Sequence, residues 1–121
     1  MYQQGALAYR QTAKVVESPR ERESALLMRA AASLQKVKDE WPNSADDMQT
    51  ALNFNRKLWT IFMTSVTKED SPLSDEIRQN IANLGLFVMN QTRELNMEPN
   101  PQKLEILVRL NRQIAAGLRG S

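Results

Sequence analysis

Apolar residues recur along this chain at alternating steps of three and four, the spacing that places them on one face of an α-helix. Tyr2, Ala6, Tyr9, Ala13 and Val16 predict a helix over residues 2–16, with both tyrosines on one side and small alanines that allow close packing. Ser18-Pro19-Arg20-Glu21 then reads as a capping box with proline at the first helical position, opening a helix over 19–40. Its stripe is Leu27, Ala30, Leu34, Val37 and Trp41, with Leu26 and Ala31 beside it, and Pro42 ends it. Ser44-Ala45-Asp46-Asp47 is the next start signal, for 45–67, on the stripe Met48, Leu52, Asn55, Trp59, Phe62 and Val66. A second apolar line, Phe54, Leu58 and Ile61, makes this helix hydrophobic around much of its girth, as a helix with more than one partner would be. Ser71-Pro72 with Asp75-Glu76 predicts a helix over 72–97, on the stripe Ile77, Ile81, Leu84, Val88, Gln91 and Leu95. Asn100-Pro101 opens the last, over 101–118, with stripe Leu104, Leu107, Asn111, Ile114 and Leu118.

Nothing alternates with a period of two, and the gaps between these segments are short. The expected fold is all-α: a single-domain bundle of about five amphipathic helices over residues 1–121. Such stripes can also be shared with a partner helix, so monomer and homodimer are both open.

Two polar residues interrupt these stripes. Asn55 and Asn111 each occupy a position where leucine is expected, and each is followed by arginine, in Leu52-x-x-Asn55-Arg56-x-Leu58 and Val108-x-x-Asn111-Arg112-x-Ile114. An amide on a buried face must find a hydrogen-bond partner. One reading leaves both at a wetted seam edge; the other has them fix helix register, as buried amides do in coiled coils, with Arg56 and Arg112 facing outward. Helical spacing favours packing for the aromatics Trp59, Phe62, Phe54 and Phe87; of these positions, those on the second line, Phe54 with Leu58 and Ile61, are the better candidates for a surface that binds another protein, with Arg56 and Arg112 as polar contacts beside it.

Composition removes most chemistry. With no histidine and no cysteine, the chain lacks the usual neutral-pH base, thiol nucleophile, disulfide and zinc ligands. Its acids sit mostly in first turns and connectors, where capping and solvation account for them. Four glycines form no phosphate-binding loop. We therefore expect no catalytic residue, no metal and no cofactor. A net charge of +2 is too small to announce nucleic acid, and Arg109, Arg112 and Arg119 complement the negative end of their own helix, so direct nucleic-acid binding is disfavoured. No apolar run is long enough to span a membrane and no export signal precedes the first predicted helix, consistent with the cytoplasm.

Taken in order, Tyr2, Ala8-Tyr9, Arg20-Glu21-x-Glu23-x-Ala25-x-Leu27, Ala51-Leu52-x-x-Asn55-Arg56-x-Leu58-Trp59-x-x-Phe62, Leu73 to Ile81 and Leu110-Asn111-Arg112-x-Ile114-Ala115-x-Gly117-Leu118 resemble the FlaF family of flagellar proteins over nearly the whole chain. The resemblance implies a small, non-enzymatic, cytoplasmic factor of alphaproteobacterial flagellum assembly. Such a factor promotes flagellin production and secretion beside the translational regulator FlbT. Chaperoning of flagellin's amphipathic terminal helices in an apolar groove is the mechanism this suggests. Post-transcriptional control through FlbT or the flagellin transcript, and a self-associating structural bundle, are the alternatives.

Overall fold

The computed structural model describes residues 18–68 and 70–119, so the helix expected over 2–16 lies outside the described residues. Four α-helices follow one another: α1 (Pro19–Glu40), α2 (Ala45–Val66), α3 (Asp75–Met97) and α4 (Leu104–Arg119), the last entered through a 3-10 turn, Pro101–Lys103.

The capping signals act as local physics requires, with two exceptions. Ser18 accepts a hydrogen bond from the Glu21 amide at 3.0 Å and so satisfies one of the free N–H groups at the start of α1. Asn100 accepts from the Gln102 amide at 3.0 Å, while Pro101 starts the turn without needing a donor. Ser44, expected to cap α2, makes no side-chain cap; it is buried and its hydroxyl donates back to the Val37 carbonyl, closing the tight turn that carries the cis Trp41–Pro42 bond. α3 begins at Asp75 rather than residue 72, because Ser74 supplies the capping oxygen to the Ile77 amide and Ser71 instead accepts from Leu73. Arg78 holds this connector, donating to the Lys68 carbonyl and pairing with Asp75.

α1 packs antiparallel against both α2 and α4, and α3 packs along α2. One continuous core results, with Leu27, Leu34, Leu52, Trp59, Phe62, Leu95, Leu104 and Leu107 at or near zero exposure. Trp59 and Phe62 meet edge to face, centroids 5.5 Å apart. Every residue of the expected α2 stripe is buried. In α3 the buried line is Ile81, Gly85, Val88, Thr92 and Leu95: it shares Ile81, Val88 and Leu95 with the expected stripe, while Gly85 and Thr92 take the places that spacing gave to Leu84 and Gln91, and Ile77 is exposed. The shift has a packing cause. A side chain added at Gly85 would place its Cβ 1.7 Å from Met63 Sδ, so Met63 of α2 packs its thioether into the space that the glycine leaves. In α4 the turn of the face is milder: Val108 and Ala115 are buried and Ile114 only half-buried.

Candidate functional site: an interhelical furrow behind a buried amide cluster

Asn55 and Asn111, 56 positions apart in sequence, are both fully buried and bonded to each other. The directions of the bonds follow from Trp59, whose indole can only donate. Trp59 Nε1 donates to Asn111 Oδ1 at 2.8 Å, which turns the Asn111 amide nitrogen towards two acceptors: Asn55 Oδ1 at 2.7 Å and the Leu27 carbonyl at 3.3 Å. Three helices, α1, α2 and α4, thus share one directed chain of hydrogen bonds. Asn55 Nδ2 is left buried with no hydrogen-bond partner. The wetted-edge reading of the two amides does not describe this arrangement. Arg56 and Arg112 are exposed, Arg112 on the seam between α1 and α4 beside Gln35 and Glu105.

The second apolar line of α2 divides. Leu58 is 7% exposed and belongs to the core, a correction to its expected place on the binding surface; position 58 faces α1, so burial there follows from the helix pair itself. Phe54 and Ile61 are 37% and 68% exposed. These three residues border a furrow between α1 and α2 that runs through two successive basins. The first is lined by Arg29, Ser33 and Lys36 of α1 against Asp47, Thr50 and Phe54 of α2. The second is lined by Arg22 and Leu26 against Leu58, Ile61 and Ser65, and is mostly apolar. Both basins, of about 390 and 190 Å³, are open to solvent along the furrow and so can take side chains of an incoming segment. Arg56 and Arg112 line neither basin, so they are not brought together with Phe54 and Ile61.

Glu23 lies at the narrow end of the furrow, bonded to Arg20 through both carboxylate oxygens at 2.9 and 3.0 Å. Burial raises its pKa above the ordinary glutamate value, and the attraction of Arg20 and Arg22 offsets only part of that rise. Among the described residues there is no group of three or more acids that could hold a metal ion, and no helix is long and apolar enough to cross a membrane.

The sequence signal for the cationic side of the furrow was present but dispersed. Arg22, Arg29 and Lys36 fall seven apart, so they align on α1, but their neighbours Glu21, Glu23 and Asp39 mask the ridge in linear sequence.

The described residues thus form a helical bundle with an open furrow between α1 and α2 and a buried amide cluster beside it. The sequence pattern of flagellar protein FlaF matches residues 6–118, and the chain belongs to the FlaF family. No curated protein and no solved structure matches it significantly.

Proposed function

We propose that this chain is a non-enzymatic flagellum-assembly factor that promotes flagellin synthesis and secretion by binding flagellin as a cytoplasmic chaperone. Membership of a flagellar family supplies the setting. The observation that carries the binding mode is the pair of exposed apolar side chains, Phe54 and Ile61, on the rim of a furrow whose floor residue, Leu58, is already satisfied by the core. A furrow between two helices accepts an amphipathic third helix, which is the shape of flagellin's terminal segments. Shielding those segments before export would prevent their self-association.

Co-purification with flagellin tests this, followed by size exclusion with mass determination and with flagellin lacking its terminal helices as control. Phe54→Asp and Ile61→Asp are expected to keep the helical fold and lose the complex, because both side chains are exposed in the free protein. Leu58→Asp is expected to unfold it. A complex that survives both rim substitutions, or that never forms with intact flagellin, would overturn the reading and shift weight to FlbT or the flagellin transcript.

A further inference from the structure

The two walls of the furrow differ in chemistry. The α2 wall presents Phe54 and Ile61 at a spacing of seven, two turns apart on one face. The α1 wall presents Arg22, Arg29 and Lys36 at the same spacing, all exposed and all lining one or other basin; the lining also holds Glu23, paired with Arg20, and, at the end nearest the α1–α2 turn, Glu40 and Asp47. Among the described residues the salt bridges join Arg20 to Glu23, Lys38 to Glu105, Arg78 to Asp75 and Arg109 to Glu105, so none engages these three cations. Arg22 does add to the field that holds down the Glu23 pKa, but Glu23 is committed to Arg20. From Asp47 to Ser65 the α2 wall runs about 27 Å, room for five turns of a third helix.

We propose that the furrow selects an amphipathic helix carrying acidic residues at seven-residue spacing along the flank of its apolar stripe. The stripe rests against Phe54 and Ile61, and the acids reach Arg22, Arg29 and Lys36. Charge of this kind sets orientation and partner choice in helix pairs, while the apolar contact provides most of the affinity. The chain's own first seventeen residues have the wrong sign for the role, with Arg10 and Lys14 against the single acid Glu17. The inference rests on the furrow being a binding surface, and not on flagellin being what binds.

Two fluorescein-labelled 21-residue peptides test it against the full chain by anisotropy: both have a leucine stripe over three heptads, one with glutamate and the other with lysine at the flanking position. The glutamate peptide is expected to bind about tenfold more tightly at low salt, as three partly exposed ion pairs together supply, with the gap closing as salt rises. Arg22→Glu/Arg29→Glu/Lys36→Glu, checked for an unchanged helical spectrum, is expected to reverse the preference; the single Arg29→Glu variant, expected to shrink the gap, serves if the triple variant misfolds. Equal binding of the two peptides, no binding of either, or a preference that the charge reversals leave untouched would overturn the proposal. Self-association lost in Phe54→Asp, with neither peptide bound, would assign the furrow to a second copy of this chain instead. Discriminating peptides with no flagellin complex would remove the flagellin reading alone; equal peptides with flagellin still held would remove the charge rule alone.

Discussion

The interface of α1 with α4 and the interface of α2 with α3 bring helices together by opposite means. Between α1 and α4 the contact is written in hydrogen bonds: the Ser24 hydroxyl donates to the Ala115 carbonyl at 2.8 Å, Asn111 donates to the Leu27 carbonyl, and Lys38 approaches Glu105 at 3.6 Å. Between the bodies of α2 and α3 no such bond occurs among the described residues, and the fit is one of size, with Met63 filling the space left at Gly85. A hydrogen bond tolerates one register; an apolar contact tolerates several of similar volume. The first interface therefore specifies alignment and the second specifies distance.

The comparison is broken most severely at Asn111. Replacing it by leucine strands the Trp59 indole N–H and the Asn55 carbonyl oxygen in a dry interior, and urea unfolding is expected to show a loss of about 3 kcal/mol. Asn55→Leu should cost less, because it removes an amide nitrogen that is already unpartnered, and the double variant should cost less than the sum. Equal losses for the two single variants would mean that the bonding chain has no direction. At the other interface, Gly85→Val meets only the flexible end of Met63, which must swing aside, so it is expected to cost about 1 kcal/mol, and Met63→Ala in the same chain should recover part of it. Failure of that recovery would place the strain elsewhere than on Met63.

A smaller effect of opposite sign serves as the control. Gly117 in α4 has nothing within 4 Å of where a Cβ would stand, so Gly117→Ala should raise stability by about 0.5–1 kcal/mol through helix propensity alone. The smallest expected effect concerns Glu23. Its folded-state pKa is raised, so between the ordinary glutamate value and the raised one the folded chain holds more protons than the unfolded chain, and this group's contribution to stability falls as pH rises through that window. Thermal midpoints of Glu23→Gln and the parent, compared across mildly acidic pH, should converge as pH falls. Divergence would reverse the sign assigned to burial.

The bounds of α1 were legible because caps and prolines act over three or four residues; α2 starts where expected, although Ser44 closes the preceding turn instead of capping it. The α2 stripe was equally plain, since it is built from large apolar side chains. The α3 face was legible at Ile81, Val88 and Leu95 and missed between them: spacing selects Leu84 and Gln91, whereas the structure buries Gly85 and Thr92, the first against Met63 of another helix and the second with its hydroxyl bonded back to the Val88 carbonyl. Asn55 and Asn111 stood out as interruptions, yet nothing local says that each answers the other across 56 positions. Leu58 could not be separated from Phe54 and Ile61, because one apolar line looks alike on both sides of a groove until the neighbouring helix is in place.

α3 is fastened along one side, and releasing it breaks no hydrogen bond between helix bodies among the described residues, whereas α1, α2 and α4 share donors and acceptors that must be given up together. The molecule is accordingly graded rather than uniform in its cohesion. Its amides should exchange with solvent in two classes, those of α3 through a partial opening and those around Trp59 only when the whole kernel comes apart.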